Sequence, residues 1–490
     1  MATPDSKSLS NSRLDTKDAG IAETASPVGT ISDVERATAK AAYRKADKRI
    51  LLCYSFVYLI MRIHVSNITN TAIINIEEGD GIKQQLGNLN SEQWAWGPVH
   101  LLLALHVRRV SFDNVAEALL SFDLDVEDHG HLGEYADIHP GIISMCQGAI
   151  QNYAGILTTR FLLGLAEAGY YPGVLYHLRF WYPAKSTPLR IAFFYACGQF
   201  SGTTSGLLAF AISYMNGVGN LAGGRWVFIL EGIPAILCGV YTYFMLPNNP
   251  ETAKFLTEDE KRTILDNLPK TQPSSTSKTW NTEQVRAIFT DPTTATFTLI
   301  WIFHAIGGWG VQKVLPTVIL ELGLTDSAVT QLLTMPTYAF GCTSLVLIGW
   351  TIKRQKVCPW IAAMALEVLT MICYIILIVV KYSIAKYVLV TLATACSICI
   401  YPILWPERIR VAHGTTAAGL TIGLTNAAAH FNGILDPQVY QPKSGPSYKV
   451  SYSVSTGLLA GAIVSIAVTC GIWWREKIEL NQRRSLDWRR

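Results

Sequence analysis

Apolar runs of roughly 20 residues recur along this chain, the length a helix needs to cross ~30 Å of hydrocarbon. They fall at 50–73, 141–182, 188–215, 224–247, 293–320, 326–352, 358–380, 383–405, 414–440 and 452–474. The 141–182 run is long enough for two passes and breaks at the polar pair Gln151-Asn152, which predicts a hairpin. None of the runs alternates with period two as barrel strands do, and in lipid only helices or closed barrels satisfy every backbone group. The pattern predicts an all-α polytopic membrane protein.

Polar segments divide these runs. Residues 1–35 are rich in Ser, Thr, Asp and Lys and are expected to be disordered, within a polar N-terminal tail of residues 1–49. A polar segment at 248–292 separates an N-terminal set of helices, 50–247, from a C-terminal set, 293–474, and a basic tail follows at 475–490. Within 248–292, Thr257 and Glu260 have the spacing of a capping box ahead of a short amphipathic helix. Lys and Arg set the orientation. Arg44, Lys45, Lys48, Arg49, Arg179, Lys185, Arg190, Lys254, Lys261, Arg262, Lys353, Arg354, Lys356, Arg408, Arg410 and the tail from Arg475 all fall on one side if both termini are cytoplasmic. The connections near 216–223 and 321–325 carry no Lys or Arg and are expected outside.

Composition agrees. Of 490 residues 50% are apolar and 16% charged, against about 25% charged in a soluble chain. The net charge of +4 gives no reason to expect a nucleic-acid partner. The 10 cysteines show no disulfide or metal-ligand spacing. No nucleophile–base pattern appears, so neither an enzyme nor a cofactor is expected.

Several strings make the reading specific. RFLLGLAEAGYYPGVLYHLRFWYP (Arg160–Pro183), LRIAFFYACGQFSGTTSGLLAFAI, GGRWVFILEGIPAI and LPNNPETAKFLTEDE resemble helices four to six and the central loop of the anion:cation symporter branch of the major facilitator superfamily. The fungal allantoate and nicotinate permeases are members of that branch. In the second half, LPTVILELGLTDSAVTQLLTMPTYAFG and GTTAAGLTIGLTNAAAHFNGILDPQVYQ are similar to its helices seven to eight and eleven. The resemblance implies twelve helices in two six-helix bundles. It also implies a monomeric secondary transporter with a small organic anion bound midway between the bundles, proton coupling, and a plasma-membrane location. Two departures stand out: His64-Val65 replaces an Asp-Arg pair common in the first helix, and no acid precedes Lys353-Arg354. A nutrient sensor of the same fold, or a copy that no longer transports, are the alternatives.

Ionisable residues within spans are costly and suggest function. Arg160 and Glu167 lie seven residues apart, hence on one helix face. A buried guanidinium offers a planar fork to a carboxylate, and the resemblance places both residues at the family's anion-binding and proton-coupling positions. Arg62 and His64 in the first span are further candidates, His64 as a proton sensor and Arg62 as an anion ligand or a partner of Glu167. Asn67 and Asn70 share a face and either contact substrate or bond a neighbouring helix. Tyr170, Tyr171, His304, Trp309, Gln312, Asn426 and His430 are candidates for the cavity lining, with interhelical bonding as the competing role. Glu367 has no evident partner. Gly198, Gly202 and Gly206, spaced by four, favour close helix approach.

Residues 97–140 break the pattern. Where helix two, a basic loop and the start of helix three are expected, 121–139 holds six acidic residues and three histidines. Asp123, Asp125, Glu127, Asp128, His129 and His131 could be read as a metal site, or the block as an acidic loop. A shifted reading frame accounts for more. Asn114–Gly133, written in permitted codons and read one base later, gives TLLKRFSPSIWMSRIMVTW, an apolar helix end, a basic loop and a new helix start. Sequencing the mature transcript across codons 90–145 is expected to return that helix-two segment; an uninterrupted message encoding the present residues 97–140 would sink the frameshift reading.

Overall fold

The computed structural model describes residues 33–90, 93–94, 131–167, 170–183, 186–247, 249–268, 282–411, 415–430, 432–441 and 444–487. The acidic block up to residue 130, with the metal reading of Asp123 to His129, and the tail before residue 33 lie outside these residues.

The chain enters through α1 (Asp33–Ala46), which runs through a π-helical turn at Asp47–Leu51 into α2 (Leu52–Thr71). After the block come α3 (His131–Gln147), α4 (Tyr153–Glu167), α5 (Tyr170–Trp181), α6 (Thr187–Ser213) and α7 (Gly223–Met245). Two short helices, α8 (Glu258–Asp266) and α9 (Thr282–Thr290), follow. The second half comprises α10 (Pro292–Glu321), α11 (Ser327–Lys353), α12 (Pro359–Val379), α13 (Ser383–Val411), α14 (Thr415–His430), α15 (Asn432–Val439) and α16 (Lys449–Asp487). Seven of the described helices are long and apolar enough to cross a membrane by length and composition. The others carry the polar residues or the breaks discussed below.

Three expectations need correction. The first helix begins at Asp33, so residues 33–35 are not disordered. The third span begins at His131 rather than 141, taking in the end of the aberrant block. At 1.5 Å per residue, 141–147 alone would span about 10 Å, so a helix of membrane length has to recruit residues from the block. Finally, Arg408 and Arg179, expected among the basic residues of the cytoplasmic side, are 2% and 7% exposed and so lie within the protein rather than in water. Arg408 donates from Nε to Thr425 Oγ1 and from Nη2 to Thr294 Oγ1, both at 3.3 Å, and lies over the Phe297 ring. These hydroxyls replace the water such a cation would otherwise need.

In the N-terminal half, α2 packs on α6 and α7, and α7 packs on α3. In the C-terminal half, α16 packs on α10 and α12, and α12 on α13. Trp181, Trp301, Trp360 and Trp405 fill the interior, whereas Leu237, Phe244, Leu347, Ile372 and Val379 are exposed, as lipid-facing side chains must be. At the end carrying the termini, Thr257 caps α8: its N–H donates to Glu260 Oε2 at 3.0 Å and its Oγ1 accepts from the Glu260 N–H at 3.3 Å. Lys45 reaches the same carboxylate at 2.8 Å, and Arg190 binds both oxygens of Asp47 at 2.7 and 3.0 Å. Burial pushes the Glu260 carboxyl up, but Lys45 and the Thr257 amide together hold it below its ordinary value.

The two halves meet chiefly along α6 and α11. Here the glycine row matters. A Cβ on Gly206 would lie 2.8 Å from both Gln331 O and Thr334 Oγ1, and one on Gly202 would strike the Tyr338 ring. Without side chains at these positions the backbones approach, as small residues allow inside membranes. Gly206→Ala is expected to destabilise the purified protein by roughly 1–3 kcal/mol through overpacking, whereas Gly349→Ala, which meets open space, should not. Equal unfolding midpoints for the two variants would contradict this account of the seam.

Candidate functional site

His64, Asn67, Arg160 and Glu167 converge in the N-terminal half with a fifth residue, Glu231, that the sequence pattern did not single out. The i, i+3 spacing of His64 and Asn67 on α2 turns both toward α4, where Arg160 and Glu167 share a face. Arg160 is fully buried. It donates from Nη2 to Asn67 Oδ1 at 2.5 Å and from Nη1 to the His64 carbonyl at 3.2 Å, with its guanidinium carbon 5.6 Å from the Phe228 ring centre. Glu167 and Glu231 both lie within its electrostatic reach.

His64 links the two acids. Its Nε2 sits 3.0 Å from the Glu231 carbonyl. A carbonyl only accepts, so this hydrogen bond assigns the proton to Nε2. That leaves Nδ1 as the basic nitrogen, 4.0 Å from Glu167 Oε1. The Glu231 side chain is 3% exposed, and its carboxylate lies within reach of the Asn67 amide and of Arg160. The signal for Glu231 is present in the sequence: it is a lone acid in the apolar run 224–247, the same criterion that singles out Glu167.

Arg62 faces the other way from the same helix. It is half-buried, its Nε has no hydrogen-bond partner among the described residues, and it acts electrostatically on Tyr58, Tyr171, Tyr195 and Tyr338. Tyr338 belongs to α11, so Arg62 points at the seam between the halves. Its charge also reaches Glu167. Tyr171 borders this region, 6.1 Å ring to ring from Trp405 of the other half, with its hydroxyl unpartnered among the described residues. Tyr170 does not: its hydroxyl donates to the Tyr54 carbonyl at 3.0 Å in the interior of the half, so it braces α5 on α2.

Across the seam, Gln312 Nε2 donates to Gln199 Oε1 at 3.1 Å. The Asn70 backbone carbonyl accepts from Gln331 Nε2 at 3.0 Å, so Asn70 marks the seam nearer the other end. Trp309 is half-buried and stacks edge-on against Tyr401, centroids 4.4 Å apart. His304 is fully buried rather than lining an open space. Its Nδ1 lies 2.6 Å from Glu367 Oε1, which supplies the partner the sequence did not reveal, and Ser397 Oγ is 3.5 Å from Nε2. The two residues are 63 positions apart on α10 and α12, so sequence spacing carried no hint of the pair. A second pair was equally invisible: Lys313 Nζ and Asp436 Oδ2 meet at 2.9 Å between α10 and α15. Asn426 is buried and His430 half-buried on α14, which packs on α5 of the first half.

Among the described residues, the arrangement is the Arg160 cluster in the N-terminal half and the His304–Glu367 and Lys313–Asp436 pairs in the C-terminal half, flanking a seam of tyrosine, tryptophan and glutamine toward which Arg62 is directed. No group of three or more His, Cys, Asp or Glu side chains among the described residues is placed to hold a metal.

Comparison with known proteins places this geometry. The chain is 26% identical to MFS transporter prlL of a fungal species (strain NRRL 50135), over 92% of this chain and 91% of that one. It is 26% identical to a protein of Agrobacterium vitis provisionally named a tartrate transporter, over 67% of this chain and 75% of that one. Among solved structures it superposes on the proton:xylose symporter XylE with a TM-score of 0.60 at 13% identity, covering 85% of this chain and 95% of that one. A bacterial homolog of the human lysosomal transporter Spinster gives a TM-score of 0.56 at 14% identity, over 86% and 95% of the two chains. At such identity these two show a shared fold. The family model described as Major Facilitator Superfamily matches residues 141–435, and with the helical architecture and transporter relatives above, the chain belongs to that superfamily and is a multi-pass membrane transporter.

Proposed function

We propose that this chain is a secondary active transporter of the anion:cation symporter branch, carrying a small organic anion together with protons by alternating access at the seam between its halves. The observation that carries the reading is the Arg160 cluster beside Arg62. Arg160 is already held by Asn67 and the His64 carbonyl and faces two carboxylates, so it organises the cluster. Arg62 has no hydrogen-bond partner at Nε among the described residues and faces the seam, so it is the cation we assign to an incoming carboxylate. A charge-assisted, fork-like contact is the means by which arginine selects planar anions. The name of the tartrate relative, which refers to an organic anion, supports the class.

Proton coupling follows from the same count of charges. Glu167 and Glu231 share one Arg160, so one of the two carboxyls lacks a cation of its own and is a place for a proton to reside. When substrate draws on Arg62, whose charge also reaches Glu167, the balance changes, and a proton passed through His64 Nδ1 restores it. In this reading both termini are cytoplasmic, which the gathering of basic residues on one side supports, and the protein works as a monomer in the plasma membrane. A copy that no longer transports is the second reading; the family match starts at residue 141, just past the aberrant block.

The test is uptake of labelled carboxylates into proteoliposomes with an imposed pH gradient. Arg62→Gln is expected to raise the half-saturating concentration roughly 10- to 100-fold, the loss of one charged contact, with the unfolding midpoint unchanged. Glu231→Gln should leave exchange of anion for anion intact while removing acceleration by the gradient. Unaltered uptake by Arg62→Gln would remove that residue from the mechanism, and gradient-driven uptake by Glu231→Gln would remove proton coupling from that carboxylate.

A further inference from the structure

Away from the seam, a groove opens on the outer surface of the N-terminal half, between the start of α2 and the end of α7. It encloses about 300 Å³ and is bordered by Lys48 and Arg49 at the π-helical turn. Its walls are Leu52, Phe56 and Tyr241, which are 50%, 55% and 57% exposed, so the groove faces outward rather than into the core. The Thr242 hydroxyl at its edge donates to the Cys238 and Gly239 carbonyls, so Leu52, Phe56 and the Tyr241 ring supply the apolar part of the wall.

Neither Lys48 nor Arg49 forms an ion pair among the described residues. The neighbouring acids Asp47 and Glu260 are engaged by Arg190 and Lys45. Lys48 is exposed and has no ion-pair or hydrogen-bond partner among the described residues. Arg49 is held over the Phe255 ring at 5.6 Å, which fixes its guanidinium without cancelling its charge. Below them, exposed Leu237, Val240 and Phe244 continue the apolar face of α7 along the surface. Basic residues thus stand where the first apolar span begins, at headgroup depth, above a greasy trough. A soluble anion would satisfy the charges and leave the trough uncovered. A neutral lipid would cover the trough and leave the charges unmatched. An anionic phospholipid does both.

We propose that this groove binds one anionic phospholipid from the leaflet facing the chain termini, its phosphate on Lys48 and Arg49 and an acyl chain along Leu52, Phe56 and Tyr241. The site tethers the α1–α2 turn to α7 through lipid, outside the transport path.

Native mass spectrometry of the full-length protein with added phosphatidylserine, phosphatidylcholine of the same chains, or glycerophosphoserine lacking chains tests it. The wild type is expected to retain one phosphatidylserine in preference to phosphatidylcholine. Replacing both cations, Lys48→Gln with Arg49→Gln, should cut that preference roughly 10- to 30-fold, and Lys48→Glu with Arg49→Glu should abolish it. Each variant's unfolding midpoint in phosphatidylcholine is read alongside to show that it folds. Equal retention of the two lipids by the wild type, or wild-type preference in the folded Gln variant, would overturn the proposal. Binding of glycerophosphoserine as tight as that of phosphatidylserine would also overturn it, since it would show a free-anion site in place of a lipid groove.

Discussion

Arg160 is the charge around which the N-terminal half is arranged. A guanidinium cannot shed its proton, so once it lies in the middle of a helix bundle every element near it must supply either an acceptor or an opposite charge. Here α2 supplies Asn67 Oδ1 and a backbone carbonyl, α4 supplies Glu167 and α7 supplies Glu231. Three helices are thereby committed to one relative rotation about their axes. The apolar packing around them, with Phe228 against the guanidinium, fills the space those rotations leave. Removing such a partner would strand a buried charge, which costs far more than the net worth of the pair.

The C-terminal half solves the same problem with other chemistry. His304 and Glu367 form a fully buried pair, with Ser397 at the second ring nitrogen and Tyr401 packed on the imidazole. Lys313 and Asp436 tie α10 to α15. Both pairs start from α10, whose Gly307, Gly308 and Gly310 let neighbours close in: a Cβ on Gly308 would lie 2.6 Å from Ser397 Oγ. Each half is braced internally by buried ion pairs. The seam between the halves carries neutral hydrogen bonds, Gln199–Gln312 and Asn70–Gln331, the Glu77 carboxylate accepting from the Ser327 N–H at 3.3 Å, an attraction between Lys83 and Glu321, and small-residue packing of α6 on α11.

Most of this architecture is legible in the order of apolar and polar residues. Lipid forbids the alternatives to a helix, so length and apolarity alone locate the spans. The break at Gln151-Asn152 falls between α3 and α4, and the Thr257–Glu260 capping box forms as its spacing implies. Both are local features, decided within a few residues. The same local reasoning does not foresee that Arg408 and Arg179 are buried, because the count of positive charges near a span end does not tell whether a hydroxyl on another helix will take the charge inside.

The amino-acid order thus carries the material: apolar spans, the side on which basic residues gather, glycines at intervals of four, and a few ionisable groups too costly to be idle. It also implies that Arg160 and Glu167 share a face and that Asn67 and Asn70 share another. Which faces meet is a matter of packing between helices distant in the chain. Packing joins His304 to Glu367 across 63 residues, Lys313 to Asp436, and Arg160 to Asn67 across 93. It separates Arg62, turned to the seam, from His64, turned inward two residues later, and it withdraws Tyr170 into the core while leaving Tyr171 at the boundary. The reason is that a helix presents all its faces at once; only the neighbours packed on it determine which of them is buried, which is paired and which is left open to a substrate.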